Sequence, residues 1–347
     1  MLGWMNTFLD RIGSPELDWI QVEVTSRCNA ACVYCPQPLI GHKRHMPLGL
    51  FKTLLPFLRY TDLVYLQGWG EPLLNPDLFS MIRACKAKGK RVGFTTNGML
   101  LDEETSSKVI DLGTDIISIS LAGATPATHD RIRKGTDLVK IIQNLDRMQQ
   151  IRAKKKARHP EIHFSYLMLA SNLHELQDVA GLAKHLGVGQ VVCSHLTWIQ
   201  NRGLWPEALF NREADRVTGI LEATAAEAQK EHLVFAFNSP ALRNEAGHCS
   251  ENVCRSSVVS AAGDVVPCVF ALPTLSRDDG QPLSHIFHDS LEPCRPLSFG
   301  NIAQESLTRI WEKEAYHRFR DLHDPTAAAP DMNSLPPGCR SCYKREA

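Results

Sequence analysis

Short apolar segments rich in β-branched residues alternate with amphipathic segments from about residue 20 to residue 197. The apolar segments predict strands, and the amphipathic segments, several of which end at a glycine, predict helices. The predicted strands are DWIQVEV, DLVYLQG, RVGFTTN, DIISISL, IHFSYLML and GQVVCSHL, at 18–24, 62–68, 91–97, 115–121, 162–169 and 189–196. Six strand-then-helix units indicate an α/β fold, a parallel sheet covered by helices.

The alternation fits either an open or closed βα barrel or a doubly wound sheet. No G-x-G-x-x-G follows the first strand, which removes the usual support for a dinucleotide-binding sheet. After residue 200 the pattern changes to a long helix near 212–232, a strand LVFAFN and an irregular tail. The tail is too poor in periodic structure to fold on apolar burial alone, so we expect a metal to stabilise it.

Unusual segments follow five of the predicted strands. CNAACVYC (28–35) follows the first, GWGEP (68–72) the second, TTNG (95–98) ends the third, SLAGA (120–124) ends the fourth, and Asn172 follows the fifth. In parallel α/β folds the carboxyl ends of the strands carry the binding groups. We therefore expect all five to lie on one rim.

Composition narrows the class of protein. The 347 residues carry 38 Lys and Arg and 38 Asp and Glu, so no net charge favours a nucleic-acid partner. Neither an export signal nor an apolar run of membrane length occurs, so we expect a cytoplasmic protein without a membrane partner. Eleven cysteines then indicate metal or redox chemistry rather than disulfides. Cys85 and Cys193 stand alone and are interpreted as small buried hydrophobes.

Cys28, Cys32 and Cys35 form a CxxxCxxC cluster with one ligand fewer than a closed site needs. Three thiolates can hold three corners of a cubane cluster and leave one iron exposed. The alternative is a zinc site completed by His42 or His45.

CNAACVYC, with Tyr34 before the last cysteine, resembles the CxxxCxφC motif of the radical S-adenosylmethionine (SAM) superfamily. The resemblance implies a partial (β/α)6 TIM-like barrel in which Cys28, Cys32 and Cys35 hold a [4Fe-4S] cluster. SAM would chelate the fourth iron through its amine and carboxylate. In that family the cluster donates an electron, the C5′–S bond of SAM breaks, and the 5′-deoxyadenosyl radical removes a hydrogen atom from the substrate.

Further segments match the SAM-binding parts of the family. GWGEP resembles its Gly-Gly-Glu-Pro segment, with Trp69 intervening, and implies that Glu71 accepts from the methionine ammonium. Arg133 resembles the arginine that pairs with the SAM carboxylate, with Arg131 as the alternative. Ala122 stands where the family often has an acidic residue. The predicted cofactor contacts are Gly70, Glu71, Asn97, Ser118, Ser120, Arg133 and Asn172.

The tail carries a second cysteine set. CRSSVVSAAGDVVPC brings Cys254 and Cys268 together across a predicted hairpin, and CRSC supplies Cys339 and Cys342, a set that suits zinc or an Fe–S cluster. The spacing resembles the SPASM extension, or its shorter twitch form, and implies one auxiliary [4Fe-4S] cluster. Cys249 and Cys294 stay unassigned, and either could replace one of the four. The domains predicted are an N-terminal segment 1–17, a radical SAM core 18–238 and a twitch/SPASM-like domain 239–347.

The resemblance implies an enzyme that matures a peptide, a protein or an enzyme cofactor, with ferredoxin or flavodoxin as electron donor. We expect no leader-peptide recognition domain ahead of the core, so a peptide would bind directly or through a separate protein. The context QGWGEPLL also resembles maturases of tungsten-dependent oxidoreductases. A radical SAM dehydrogenase or ligase acting on a small cofactor or antibiotic precursor is the alternative.

Two readings of another class are an electron-transfer Fe–S protein and a zinc-stapled binding protein. The open three-cysteine site, Glu71 and Ser120 disfavour an electron carrier, because a carrier gains from closing its cluster against solvent. No catalytic side chain is assigned. His195, Tyr166 and Asp102 are candidates for a general base or radical carrier by position alone, and a structural role is the simpler interpretation of each.

Overall fold

The computed structural model describes residues 17–212, 214–238 and 248–345. The first 16 residues of the predicted N-terminal segment lie outside the described residues, as do the residues that begin the predicted C-terminal domain, 239–247.

The described strands and helices follow one another in the predicted alternation. The strands are β1 Trp19–Val22, β2 Leu63–Leu66, β3 Arg91–Thr96, β4 Ile116–Leu121, β5 Glu161–Met168, β6 Gln190–His195, β7 Val234–Phe237, β8 Ser256–Val259, β9 Asp264–Val266, β10 Ser284–Phe287, β11 Ser290–Pro293 and β12 Gly300–Asn301. The α-helices are α1 Leu48–Lys52, α2 Leu78–Lys86, α3 Glu103–Asp111, α4 Pro126–Ile132, α5 Leu138–Lys154, α6 Leu176–His185, α7 Ala214–Lys230, α8 Leu307–Trp311, α9 Glu314–Leu322 and α10 Pro337–Arg340.

Strands β1 to β7 lie side by side in chain order and are parallel throughout. Among the described residues no pairing joins the two edges of this sheet, so it forms a partial barrel. The six predicted strand-then-helix units are confirmed, and so is the partial-barrel form of the α/β fold. LVFAFN, predicted as a strand after the long helix, is β7 at the edge beside β6.

The strands alternate between a buried face and a half-buried face. Apolar side chains point to the helices and are fully buried: Ile20, Val64, Phe94, Ile117, Phe164 and Val191 are each 0% exposed. The opposite face carries polar residues, including Gln21, Tyr65, Thr95, Ser120, His163 and Ser165, most of them half-buried. This polarity is what a site inside the barrel requires, because buried polar groups need partners from the chain or from a ligand.

Helix ends follow the sequence signals. Asp102 accepts a hydrogen bond from Thr105 N at 2.8 Å and so caps the start of α3. Gly89 and Gly187 follow α2 and α6 with φ of +69° and +63°, in the left-handed region expected of a glycine C-cap.

The C-terminal region extends the same sheet. β8 pairs in parallel with β1, while β9 and β12 continue the sheet in antiparallel pairs. The hairpin of β10 and β11 forms a separate two-stranded sheet. Within the described ranges no helix is both long and apolar enough to cross a membrane.

Candidate functional site

The three front cysteines lie on one loop after β1. Cys32 is buried, and Cys28 and Cys35 are half-buried. Two backbone hydrogen bonds, from Ala31 N to Lys134 O at 2.7 Å and from Val33 N to Ile132 O at 2.9 Å, hold this loop against the end of α4. The loop is therefore fixed to the chain that follows β4, as the shared rim requires.

Burial disfavours the thiolate form of Cys28 and Cys35. Burial raises the pKa of Cys28 and raises that of Cys35 to about 12. Thiolates form at neutral pH in such a place when a metal supplies positive charge. In the described part of the chain no group of three His, Cys, Asp or Glu side chains converges on one metal ion, and His42 is exposed.

Arg133 lies beside the cysteine loop. Its guanidinium donates to the Tyr34 hydroxyl and stands 5.9 Å from the centre of the Tyr34 ring. Burial lowers the pKa of Arg133, but Tyr34 and the three thiols raise it above its ordinary value, so the side chain stays charged. Its buried Nε has no hydrogen-bond partner, which leaves a donor for an anionic ligand. Arg131, the alternative, is exposed.

Glu71 joins the second loop to the third. Its carboxylate is 2% exposed and accepts from Leu73 N at 3.2 Å, from Thr96 Oγ1 at 2.7 Å and from Asn97 N at 2.7 Å. Burial raises the pKa of Glu71, and these three hydrogen bonds oppose the rise. A carboxylate has about four acceptor positions, so one is left for a ligand.

Gly70 lets the second loop touch the first. A Cβ on Gly70 would lie 2.2 Å from Thr25 O and 2.6 Å from Arg27 O, and Glu71 N donates to Arg27 O at 2.8 Å. The close approach therefore requires glycine.

Asn97 links the third loop to the cysteine loop. Its Nδ2 donates to Asn29 Oδ1 at 2.7 Å, while its Oδ1 accepts from Met99 N at 3.0 Å. Gly98 follows with φ of +78°, as the predicted Asn-Gly turn requires. Asn97 thus shapes a turn and also bridges two loops.

Ser118 and Ser120 face the polar side of the sheet, as their alternation predicts. In the β3–β4 register Thr95 pairs with Ser118, and in the β4–β5 register Ser165 pairs with Ser120. Ser118 is 6% exposed, and Ser120 is half-buried and open to a ligand.

Asn172 lies on the same rim, but its side-chain amide hydrogen-bonds the backbone of the protein itself. Its Oδ1 accepts from Leu169 N at 2.7 Å, and its Nδ2 donates to Ala122 O at 3.0 Å and Leu167 O at 2.9 Å. It fixes the loop after β5, and its contact with a cofactor stays a prediction.

Of the three side chains considered as general base or radical carrier, Tyr166 and Asp102 have structural positions. Tyr166 faces the helices, is 0% exposed and donates to Asn172 O at 3.1 Å. Asp102 caps α3, and the hydrogen bond from Thr105 N holds its pKa below the ordinary value. His195 is buried, and burial lowers its pKa to about 4.

Four of the tail cysteines lie around one cavity. Cys249, Cys268, Cys339 and Cys342 line one cavity of about 40 Å³. Burial raises the pKa of the Cys268 thiol well above its ordinary range, and the nearby Cys249, Cys342 and Cys339 thiols add to the rise.

Cys254 does not line this cavity, and its Sγ donates to Arg320 O at 3.4 Å. The hairpin register accounts for the position of Cys254 away from the cavity. Val258 pairs with Val266, so extending the register places Ser256, rather than Cys254, opposite Cys268.

Cys249 is brought in from the other side of the cavity. Ser250 N donates to Lys344 O at 2.7 Å, and Lys344 pairs with Glu251 at 2.8 Å, which fixes Cys249 beside Cys342. Sequence spacing alone left Cys249 open as a replacement, and what places it at the cavity is a contact between segments far apart in the chain. Cys294 lies in a neighbouring cavity with Trp198 and His285.

Comparison with known families now identifies the chain. Residues 22–183 match the family model of the radical SAM superfamily, and residues 249–343 match that of SPASM, an iron–sulfur cluster-binding domain. The protein is a radical SAM enzyme. Its C-terminal region is a SPASM domain. The radical SAM domain binds a [4Fe-4S] cluster and SAM, and the SPASM domain binds auxiliary Fe–S clusters.

Two proteins similar to this radical SAM enzyme are named for the modification of a cofactor and the cyclisation of a peptide. The tungsten-containing aldehyde ferredoxin oxidoreductase cofactor-modifying protein of Pyrococcus furiosus is 26% identical over 341 residues, 95% of this chain and 88% of that protein. The PqqA peptide cyclase of Ruegeria pomeroyi is 28% identical over 331 residues, 92% of this chain and 78% of that protein.

Solved structures show the same fold. SuiB of Streptococcus suis bound to S-adenosylmethionine matches with a TM-score of 0.64 at 14% identity, covering 89% of this chain and 68% of that one. Native anSMEcpe with bound AdoMet matches with a TM-score of 0.62 at 16% identity, covering 94% and 88%.

The residues at this site suit the cofactors that the radical SAM superfamily implies, a [4Fe-4S] cluster and SAM. Three thiols on one loop, a buried arginine with a free donor and a buried carboxylate with one open acceptor position fit an iron–sulfur cluster beside a zwitterionic ligand. When bound, the cluster and SAM supply the electron and the radical. The protein positions the loops, holds charge complementary to the ligand and shields the site.

Proposed function

We propose that Cys28, Cys32 and Cys35 hold the SAM-binding cluster at the carboxyl ends of β1 to β4. One observation carries this assignment: the cysteine loop, Glu71, Asn97 and Arg133 meet in one place although up to about a hundred residues separate them in the chain. Arg133 then pairs with the carboxylate of SAM, and Glu71 accepts from its ammonium. Gly70, Asn97, Ser118, Ser120 and Asn172 complete the predicted SAM contacts.

The auxiliary cluster is held by Cys249, Cys268, Cys339 and Cys342 in this proposal. These are the four thiols that share one cavity, and Fe–S clusters in proteins are typically held by four thiolates. Cys254 is replaced by Cys249 relative to the set expected from spacing.

The proposed substrate is a peptide or a protein side chain. The relationship to a PqqA peptide cyclase over 92% of this chain supports it. The polar face of the sheet also supports it, because half-buried side chains such as Ser120, His163 and Ser165 offer hydrogen bonds that peptide groups can use.

A second candidate is a small enzyme cofactor. The relationship to a tungsten-enzyme cofactor-modifying protein, which spans 95% of this chain, favours it. Both candidate reactions begin when a hydrogen atom is removed from the substrate. An experiment that traces this hydrogen can therefore tell which class of substrate supplied it.

The experiment follows deuterium into 5′-deoxyadenosine. Cells that make the protein are grown in D₂O, and their extract is divided by size into a peptide and protein fraction and a small-molecule fraction. Each fraction is added anaerobically to the reconstituted enzyme with SAM and dithionite. Deuterated 5′-deoxyadenosine from the first fraction alone supports a peptide substrate, and deuterium from the second alone supports a cofactor.

The control is a variant with Cys28, Cys32 and Cys35 all changed to Ala. We expect it to lose 5′-deoxyadenosine formation and to retain about four of about eight iron atoms, since the auxiliary cluster is untouched. Full 5′-deoxyadenosine formation by this variant would contradict the assignment of the front cysteines.

The electron donor proposed in the cell is ferredoxin or flavodoxin, and the proposed location is the cytoplasm. Eleven free thiols, many of them in cluster-binding positions, suit a reducing compartment. Replacement of dithionite by reduced flavodoxin in the same assay tests the donor.

A further inference from the structure

Trp69 lies between Gly68 and Gly70 in the SAM loop, defined here as residues 68–72. Its side chain packs against the SPASM domain. Its indole Nε1 donates to Val269 O at 3.2 Å, and Val269 directly follows Cys268. The indole ring also packs edge-on against Phe270, with ring centres 5.9 Å apart. One residue of the SAM loop therefore touches the segment that carries an auxiliary-cluster cysteine.

Glu23 holds the main chain of the same residue. Its Oε1 accepts from Trp69 N at 3.2 Å, and its Oε2 accepts from Ala261 N at 3.2 Å, in the β8–β9 hairpin of the SPASM domain. Glu23 is 0% exposed, and its stem fills the space beside Gly68, where a Cβ would lie 2.3 Å from its Cγ. The carboxylate thus ties one N–H of the SAM loop and one N–H of the SPASM hairpin to a single rigid group.

A buried carboxylate at this position needs a reason. Among the described residues Glu23 pairs with no cation, and burial raises its pKa to about 7. The cost of burying a carboxyl group is offset only while both backbone donors stay in place. The position of the hairpin and the position of the SAM loop therefore depend on one another.

We propose that Glu23 and Trp69 are positioning residues that couple the SPASM hairpin to the SAM loop. SAM bound at Gly70 and Glu71 then orders the hairpin beside Cys268, and an ordered hairpin strengthens SAM binding, since coupling between two sites is reciprocal. The inference rests on the proposed function, because it requires that the SAM loop binds SAM.

The test compares SAM affinity in four proteins: the wild type, Trp69→Phe, Glu23→Gln and Trp198→Phe. Trp69→Phe keeps an aromatic ring and removes the donor to Val269 O. Glu23→Gln puts an amide NH₂ where one of the two backbone N–H groups needs an acceptor. Trp198→Phe is the matched control, because Trp198 packs against Trp69 with ring centres 6.2 Å apart and its buried Nε1 has no partner to lose.

Isothermal titration of the reconstituted enzymes should show SAM binding weakened about three- to tenfold by Trp69→Phe and by Glu23→Gln, the range expected for one lost hydrogen bond. Trp198→Phe should bind within about twofold of the wild type, since no hydrogen bond is lost. The iron content of all four proteins should be equal.

Hydrogen exchange supplies a readout that simple destabilisation would not give. In the wild type, added SAM should slow backbone exchange in 256–270, and in Trp69→Phe saturating SAM should slow it less, since only the Glu23 link remains. Equal affinity of Trp69→Phe and Trp198→Phe, or undiminished SAM protection in Trp69→Phe, would overturn the coupling. Failure of the wild type to bind SAM would instead contradict the proposed function.

Discussion

At the scale of single residues, the two cysteine sets differ in how far the sequence alone can predict the ligands of a cluster. Cys28, Cys32 and Cys35 are close together in the chain, so the prediction of one open cluster site could rest on their spacing. The auxiliary set that we propose from the structure has Cys249 in place of the Cys254 expected from spacing, because the choice between them depends on a hairpin register and on the contact of Ser250 with Lys344. Neither is a local property of the sequence.

Exchange of single cysteines tests this difference. We expect Cys249→Ser to lower the iron content of the reconstituted protein from about eight to about four or to leave a labile cluster, because a serine replaces one of four thiolates. Cys254→Ser is the matched control and should keep about eight iron atoms, since its thiol bonds Arg320 O outside the cavity. Iron and sulfide analysis of both variants decides the assignment, and loss of iron in Cys254→Ser alone would restore the ligand set predicted from spacing.

At the scale of secondary-structure elements, the positions of the strands and of the rim were predictable from the sequence pattern, and the loop contacts were not. Hydrophobic periodicity located β1 to β6, and the rule that parallel strands end on one edge placed their loops together. How the loops interlock depends on side chains that no periodicity reports. Glu71 accepts from the third loop and Asn97 donates to the first, so each loop is held by another.

The contact of the SAM loop with the chain before Cys28 gives a prediction at this scale. Gly70→Ala should lower the free energy of unfolding by about 1–3 kcal/mol, because a Cβ there overlaps Thr25 O and Arg27 O and forces the loops apart. The front cluster should also lose iron faster to a chelator. Gly49→Ala is the control, since a Cβ on this residue of α1 meets nothing within 4 Å and alanine favours a helix.

Urea unfolding and the rate of iron loss measure both effects in the two variants. Equal unfolding midpoints for Gly70→Ala and the wild type would show that the loops tolerate separation, and the close approach would then have no structural role.

At the scale of the whole molecule, one sheet includes strands of both the radical SAM domain and the SPASM domain. β8 of the SPASM domain pairs with β1 over four residues, from Trp19–Ser256 to Val22–Val259, so β1 is an interior strand. The sequence suggested a separate tail domain because its periodicity ends after residue 200, and a short strand that completes a distant sheet leaves little periodic signal. The proposed coupling through Glu23 and Trp69 uses this shared sheet, since both residues lie beside the β1–β8 junction.

A shared sheet predicts shared unfolding. Separate domains commonly unfold in separate transitions, but here unfolding of the SPASM strands would expose Ile20 and Val22 at a new sheet edge. Pulsed hydrogen exchange in increasing urea should therefore give the same midpoint for 91–121, which spans β3 and β4, and for 256–266, which spans β8 and β9.

The β10–β11 hairpin is the internal control for that measurement. It pairs with no other strand among the described residues, and Leu291 on it is 67% exposed. Its attachment to the barrel is through β10, where Ile286 is buried and its N donates to Ile199 O at 2.6 Å, and not through the ladder of the main sheet, so 284–293 should exchange at lower urea than that sheet. If 256–266 instead followed 284–293 and separated from 91–121, the SPASM strands would unfold independently, and the shared sheet would not be one cooperative unit.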